Sequence, residues 1–301
     1  MKRIAQVITL GAILIILSAC SGNGISVSGG EKTPQTGSMG MTAGNWYFSA
    51  ISSRSEIESR FSGPLTVSGD TISIATTPNS TCIPFMPLVF SGKVSDNSVT
   101  IASPSVQGDG RVMTMTGTSR YGSNFDGVYQ ITGTTSSDKC YNDSGTVFGI
   151  QVLPLDGSWS GILVESAYDQ YGNVVYDLYG TPVKNTAYTY ATIAQATAPV
   201  TINSAGLGTV SAYPLSGSLT FRGSPCYSSG TIDSTKSYIV GSSYNLVVIT
   251  DTGGALISSG NLDPARPILM NFSYTVPGGA CAYYQVAGTL QTPAIDYGLI
   301  P

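Results

Sequence analysis

The stretch Leu65-Thr-Val-Ser-Gly-Asp-Thr-Ile-Ser-Ile74 alternates apolar and polar residues with a period of two. This alternation is typical of a β-strand with one face buried and the other in solvent. Shorter segments of the first half read similarly: Val99–Ile101, Val112–Thr116, Val128–Thr132 and Val147–Val152. The second half offers further strand segments: Leu219–Phe221, Tyr238–Val240, Leu246–Thr250 and Tyr283–Ala287. Short strands at regular spacing predict an all-β fold, either an antiparallel barrel or a sandwich.

The two halves of the chain repeat short motifs in the same order, and each half opens on a Gly-x-Trp motif. Internal repetition of this kind indicates related domains. The matching pairs are Gly44-Asn-Trp46 with Gly157-Ser-Trp159, Ser62–Gly69 with Ser216–Gly223, Cys82 with Cys226, Tyr129–Cys140 with Tyr274–Cys281, and Gly145-Thr146 with Gly288-Thr289. We therefore predict two tandem antiparallel β-barrel-like or sandwich domains that arose by duplication. Their ranges are 41–153 and 155–293, and residues 294–301 form a tail.

The N-terminal residues have the pattern of a secretory signal. Met1-Lys2-Arg3 supplies a short basic start, and the apolar run Ile4–Leu17 follows it. This run is shorter than the roughly 20 residues that a membrane-spanning helix needs. We therefore predict that residues 1–19 are a signal peptide that is removed.

Leu17-Ser18-Ala19-Cys20 resembles the lipobox of bacterial lipoproteins. The resemblance implies that Cys20 receives a diacylglycerol thioether and, after cleavage, an acyl chain such as palmitate on its amine. It also implies a cell-envelope protein held to a membrane by lipid, and Ser21 resembles the signal for sorting to the outer membrane. The domains would then lie in the periplasm or on the cell surface. The alternative is an ordinary signal peptide that ends near a cysteine.

Residues 20–40 combine the proposed lipid site with a segment rich in Gly, Ser and Thr. Such a composition buries too little apolar surface to order the backbone, so we expect a flexible tether. With Cys20 assigned to lipid, four of the five cysteines remain, in a compartment that permits disulfides. The repeat favours the pairings Cys82–Cys140 and Cys226–Cys281 over the two other connectivities. Four reduced, buried thiols are the alternative.

The charge and the residue content limit the possible functions. The chain has 17 acidic residues against 13 basic ones, so it lacks the positive charge that nucleic-acid binding requires. It has no histidine, which removes His-based catalysis and the commonest metal-ligand sets. We predict no cofactor, no metal site and no enzymatic activity.

One motif keeps a carboxylate-based hydrolase open as an alternative. Asp251-Thr252-Gly253 resembles the Asp-Thr-Gly of aspartic proteases, which follows an apolar strand. That chemistry needs two carboxylates that share a proton, and no second motif is present. The other interpretation is a β-turn.

The Gly-x-Trp motif is similar to the opening motif of lipocalins and related calycin barrels, in which the Trp closes the base of the barrel. The resemblance implies a barrel-shaped domain and, as an alternative function, carriage of a small apolar ligand. An ordinary core tryptophan is the other interpretation.

The second half contains an insertion, about residues 165–206, that has no counterpart in the first half. It carries Glu165, Asp169 and Asp177 among several tyrosines. Tyrosine presents an apolar face and a polar tip, which suit proteins, peptides or glycans. The candidate binding residues are Tyr168, Tyr171, Tyr176 and Tyr179. The alternative is an extra hairpin whose tyrosines shield one face of a sheet. The favoured function is a lipid-anchored binding, interaction or structural module.

Overall fold

The computed structural model describes residues 40–54, 58–76, 82, 88–95, 98–105, 110–133, 140–204, 208–262, 269–275 and 284–291, the range 269–275 by its backbone. Every regular element within these ranges is a β-strand, which confirms the predicted all-β class for this part of the chain. No helix in these ranges is long and apolar enough to cross a membrane.

The first eight strands form a closed antiparallel barrel in which each strand pairs with the next one along the chain. They are β1 (Gly44–Ser52), β2 (Glu58–Ser68), β3 (Thr71–Thr76), β4 (Leu88–Ser95), β5 (Ser98–Ala102), β6 (Val112–Arg120), β7 (Asn124–Thr132) and β8 (Ser144–Gln151). The barrel closes where β8 pairs with β1 and places Gln151 opposite Trp46. Closure leaves no free sheet edge, so the first half is a barrel and not a sandwich.

Large apolar side chains fill the interior of this barrel. Inward and outward residues alternate along each strand, as in β3, where Ile72 and Ile74 are buried. The rings of Phe48 and Phe61 stack with centroids 5.1 Å apart, and those of Phe61 and Phe90 stack at 5.3 Å. A ligand carrier of the lipocalin type needs an interior cavity, whereas these rings occupy the middle of the barrel.

A disulfide and a buried carboxylate hold one end of the barrel together. Cys82 is bonded to Cys140, as the repeat predicted. Nearby, the buried Asp143 accepts hydrogen bonds from the Ser52 hydroxyl at 2.6 Å and from the Tyr129 hydroxyl at 2.7 Å. Burial raises the pKa of Tyr129, and its hydrogen bond to Asp143 raises that pKa further.

The second half forms a separate antiparallel sheet of ten strands. Its strands are β9 (Gly157–Ala167), β10 (Lys184–Gln195), β11 (Val200–Ser204), β12 (Gly208–Arg222), β13 (Ser229–Ile232), β14 (Tyr238–Val240), β15 (Ser243–Thr250), β16 (Ala255–Asn261), β17 (Leu269–Thr275) and β18 (Tyr284–Gln291). The main path runs β13-β15-β14-β12-β10-β9-β18-β17, with β11 paired to β12 and β16 paired to β15. β16 also lies alongside β17, so the sheet curves back on itself around a core that contains Trp159.

The sheet meets the barrel at the tight turn between β14 and β15. The Asn45 side-chain Nδ2 donates to the Gly241 carbonyl at 2.7 Å, and the Gly241 N–H donates back to the Asn45 side-chain Oδ1 at 2.6 Å. Beside this joint, a cleft of about 510 Å³ lies between Leu65 on the barrel and Gln195 at the end of β10. The joint therefore fixes which end of the sheet faces the barrel.

Two sequence predictions need correction in detail, one made from the alternation and one from the repeat. The alternating stretch 65–74 spans the end of β2, a turn and β3, and is not one strand. In the barrel, the Trp46 strand β1 pairs with β2, which contains Ser62–Ser68. The match of Ser62–Gly69 with Ser216–Gly223 would therefore pair the Trp159 strand β9 with β12. In the structure, β9 pairs with β10 instead. The excess residues of the second half therefore include a regular strand of the sheet.

Candidate binding site at the paired tyrosine turns

Two consecutive turns between β9 and β10 carry the candidate binding tyrosines. The first spans residues 168–174 and the second residues 176–182, and a single β-bridge closes each one, Tyr168 with Val174 and Tyr176 with Pro182. Their sequences, Tyr-Asp-Gln-Tyr-Gly and Tyr-Asp-Leu-Tyr-Gly, repeat after eight residues. We call residues 168–183 the paired tyrosine turns.

The Asp169 carboxylate organises the first turn. Its Oδ1 accepts the backbone N–H of Tyr171 at 2.8 Å and that of Asn173 at 2.9 Å, and its Oδ2 accepts the Asn173 side-chain amide at 3.0 Å. Side-chain bonds of this kind replace the backbone ladder in a tight turn. The hydrogen bond from the Asn173 side chain is the main cause that lowers the pKa of Asp169, and backbone N–H groups add to it.

Asp177 repeats this arrangement in the second turn. Its Oδ1 accepts the N–H of Tyr179 at 2.8 Å and that of Thr181 at 2.9 Å, so the bonded positions lie two and four residues after each aspartate. Gly172 and Gly180 follow the two tip tyrosines and take φ angles of 84° and 77°. Glycine is the residue that adopts this region without steric cost, which explains its place in both turns.

Backbone hydrogen bonds join the bases of the two turns to the sheet. Val175 N–H donates to Ala167 O at 3.0 Å, Val183 N–H donates to Val175 O at 2.9 Å, and Ala167 N–H donates to Val183 O at 3.0 Å. Val175 thus forms backbone hydrogen bonds with both Ala167 and Val183 at the end of the β9–β10 ladder. The turns are anchored at both ends and in the middle, which restricts the motion of their tips.

The tips of the turns expose large side chains to solvent. Tyr171 is 81% exposed, Tyr179 is 91% exposed and Leu178 is fully exposed. Tyr176 is also exposed, whereas Tyr168 is half-buried at the base. The structure therefore brings three of the four predicted tyrosines to the surface, and they do not shield a face of the sheet.

Leu178 and the eight-residue repeat were not part of the sequence prediction. The signal for both was present in the sequence, since Tyr-Asp-x-Tyr-Gly occurs at 168–172 and again at 176–180. Leu178 follows from the same repeat, because it stands at the tip position that Gln170 holds in the first turn.

The turns lie at the end of the sheet that points away from the joint with the barrel. At the joint, Gly157 begins β9 and pairs with Ile193, close to Gln195. β9 then runs to Ala167, a span of about 33 Å at 3.3 Å per residue, before the turns begin. The tip tyrosines and the barrel joint are therefore at opposite ends of β9.

Other aromatic groups near the turns are less available. Tyr188 and Tyr190 lie on the outer face of β10, where the Arg222 guanidinium covers the Tyr190 ring at 5.4 Å from its centroid. Glu165, which the sequence placed in the insertion, is fully buried and accepts a hydrogen bond from the Ser224 hydroxyl at 2.6 Å. Glu165 therefore serves the core and not the surface of the turns.

Asp251, the residue of the protease-like motif, lies in the turn after β15. Its carboxylate accepts hydrogen bonds from the backbone N–H groups of Ser228 and Ser229 and from the Ser228 hydroxyl. The Ser228 hydroxyl is the main cause that lowers the pKa of Asp251. These bonds fit the turn interpretation, because the carboxylate ties two loops together.

The remaining predicted sites fall partly outside the described residues. Cys20 and Cys281 lie outside them, so the lipid site and the Cys226–Cys281 bridge stay predictions, and Cys226 itself is buried. Among the described residues, no group of three or more Cys, Asp or Glu is placed to hold a metal ion. A shallow cleft of about 610 Å³ runs along the outer face of β6, β7 and β8 beside Thr116, Val128 and Thr146.

Comparison of the chain with models of known protein families and with curated proteins found no match.

Proposed function

We propose that this protein is a lipid-anchored binding module of the bacterial cell envelope that captures its partner with the paired tyrosine turns. The proposal rests on one observation: the backbone of the two turns is held by hydrogen bonds, while the side chains at their tips are exposed to solvent. Two aspartates and backbone hydrogen bonds hold the turns, yet Tyr171, Leu178 and Tyr179 contact little of the protein. Preorganised, exposed aromatic groups lose little conformational entropy when a partner covers them.

The sequence supports the lipid anchor. Leu17-Ser-Ala-Cys20 closes an apolar run of signal-peptide length, and 19 residues separate Cys20 from Gly40, where the described chain begins. Lipidation predicts that the protein isolated from membranes carries acyl chains on Cys20. A Cys20→Ala variant is expected to leave the membrane fraction, and mass spectrometry of the N-terminal peptide checks the modification directly.

The positions of the two functional ends are consistent with display. The chain enters the barrel at Thr42, close to Gly44 and to the cleft that contains Gln195. The paired tyrosine turns stand at the opposite end of β9. An anchor on the N-terminal side therefore leaves these turns free to meet a partner.

We also infer that the barrel and the sheet arose by duplication. The Trp46 indole N–H donates to the Thr42 carbonyl at 2.9 Å, and the Trp159 indole N–H donates to the Leu155 carbonyl at 3.0 Å, four residues earlier in each case. Each Trp strand also pairs with the last strand of its half, β1 with β8 and β9 with β18. The paired tyrosine turns would then be an addition to the second copy.

A sedimentation assay tests the proposed function. A chain of residues 21–301, exported without lipid, is mixed with cell-envelope fragments and centrifuged. We expect the wild-type chain to sediment with the fragments and a Y171A/L178A/Y179A variant to remain in solution. Tyr121, which is 79% exposed in the β6–β7 turn, supplies the matched control Y121A. Equal sedimentation of the wild-type chain and the triple variant would refute the proposal.

A further inference from the structure

The paired tyrosine turns present the same surface twice. In each turn, one aspartate oxygen accepts the N–H groups two and four residues later, and a glycine with positive φ follows the tip tyrosine. Tyr171 and Tyr179 therefore hold equivalent positions, and both are largely exposed. A surface built from two equivalent contact points matches a ligand that itself repeats.

We propose that the paired tyrosine turns bind a neutral glycan chain, with one sugar ring against Tyr171 and another against Tyr179. The proposal rests on the binding function proposed above and names its ligand class. Two linked contacts with one chain raise the affinity well above that of either contact, because the second contact forms at a high effective concentration.

The chemistry of the tips fits a sugar. A tyrosine ring offers a flat apolar face, which matches the C–H face of a pyranose, and its hydroxyl reaches the polar rim of the sugar. Polar but uncharged side chains lie beside the tyrosines, namely Gln170 and Asn173 in the first turn and Thr181 in the second. Ligand sites commonly combine an apolar surface with a few polar groups of this kind.

The charge of the turns argues for a neutral chain. Residues 168–183 contain two aspartates and no lysine or arginine, so an anionic polymer would be repelled. A cationic peptide is the competing ligand. The Asp169 carboxylate accepts three hydrogen bonds within its own turn and the Asp177 Oδ1 accepts two, so both carboxylates serve the turns themselves, and the test below includes a cationic peptide.

The two tyrosines on β10 do not offer the same platform. The Arg222 guanidinium lies over the Tyr190 ring, so a sugar could stack there only after the arginine moved away. Within the described residues, no arginine or lysine is placed over Tyr171 or Tyr179, which keep 81% and 91% of their surface exposed. The turns therefore offer two open rings, eight residues apart in the sequence and in equivalent positions.

The test measures binding of neutral oligosaccharides to the 21–301 chain by calorimetry. The probes are β-1,4-linked glucose, α-1,4-linked glucose and β-1,4-linked N-acetylglucosamine, each from one to six units. In at least one series, we expect the affinity to rise about tenfold or more from the monosaccharide to the length that spans both turns, and then to level off. Y171A and Y179A should each abolish this gain and weaken binding of the spanning chain about tenfold or more, because only one contact remains.

Matched variants separate the glycan contact from changes in the fold. Y121A should bind like the wild-type chain, and Y171F and Y179F should keep most of the affinity because the ring face remains. Thermal unfolding of each variant should match that of the wild-type chain, since the substituted side chains are exposed.

Three results would overturn the proposal. If none of the three oligosaccharide series binds, but sedimentation with the envelope fragments still depends on Tyr171 and Tyr179, the glycan proposal is refuted and the proposed binding function remains. Capture of a lysine-rich peptide with the same dependence, in the absence of glycan binding, would assign the turns to a cationic partner. Sedimentation that is independent of both tyrosines would refute both proposals.

Discussion

Asn45 and Gly241 exchange two hydrogen bonds across 196 residues of sequence and join the barrel to the second sheet. Gly241 has a φ of 56°, and a Cβ atom at this position would lie 1.9 Å from the Ser62 Cβ. Only glycine therefore fits the turn, and the joint depends on it. This close approach helps to orient the sheet against the barrel, together with the contacts that β12 makes with β2 and β3.

A Gly241→Ala substitution is expected to destabilise the protein by roughly 2–4 kcal/mol, from the left-handed backbone and the contact with Ser62 together. Urea unfolding measures the change. Gly253 is the matched control, because its φ is 82° but no atom lies within 4 Å of a Cβ placed there. Gly253→Ala should lose only about 1–2 kcal/mol. Equal losses for both variants would contradict the close approach at Gly241.

The filled barrel predicts a large effect of a cavity at its centre. Phe61 stacks between Phe48 and Phe90, so Phe61→Ala should lower the free energy of unfolding by about 3–5 kcal/mol. Phe148→Ala is the control on the outer face, where the side chain is 44% exposed, and should cost about 1 kcal/mol or less. A small loss for Phe61→Ala would mean that the barrel is not tightly filled.

Replacement of Tyr121 by asparagine is expected to stabilise the protein. Tyr121 takes a φ of 56° while most of its side chain is exposed, so packing does little to offset the conformational cost. Asparagine tolerates this region, and Tyr121→Asn should therefore stabilise the fold by about 1 kcal/mol. Thermal unfolding should show a higher midpoint for the variant. A lower midpoint would show that the Tyr121 side chain contributes contacts to the barrel end.

Asp169 gives the first turn a defined dependence on pH. Hydrogen bonds, first of all from the Asn173 side chain, lower the pKa of Asp169 below its ordinary value of 3.8. A carboxylate with a lowered pKa in the folded state stabilises that state above its unfolded pKa, and the contribution is lost as the pH falls through the folded pKa. The amide resonances of Tyr171 and Asn173 should therefore titrate with a midpoint below 3.8.

An Asn173→Ala variant tests the cause of that shift. Without the side-chain amide, the midpoint should move up towards 3.8, because the largest stabilising bond to the carboxylate is gone. A midpoint of 3.8 or higher in the wild-type chain would contradict the hydrogen bonds that organise the turn.

Local patterns in the sequence predicted the strand class and the first disulfide, because side-chain alternation and cysteine position in the repeat carry that information. They did not predict the break of the stretch 65–74 into two strands, although the sequence marks it. The apolar positions change from odd, at Leu65 and Val67, to even, at Ile72 and Ile74, across the Gly69-Asp70 turn. The position of β10 beside the Trp159 strand was also missed. Strand order depends on pairing between distant segments, which short matched motifs do not report.

The candidate site was predicted in part. The cluster of tyrosines in the insertion predicted Tyr171, Tyr176 and Tyr179 as binding residues, and the side chains of all three are exposed. The hydrogen bonds from the backbone to Asp169 and Asp177 could not be predicted from the sequence, because the same residues could equally form a hairpin. Leu178 is exposed because it lies at the tip of the turn that the Asp177 hydrogen bonds close.

Protection of tyrosines from nitration tests the central claim most directly. The 21–301 chain is treated with tetranitromethane in the presence and absence of cell-envelope fragments, and each tyrosine is followed by peptide mass spectrometry. We expect Tyr171 and Tyr179 to react readily in the free protein and to become protected on the fragments, while Tyr121 reacts equally in both. Unchanged reaction of Tyr171 and Tyr179 on protein that has bound to the fragments would show that the partner contacts another surface.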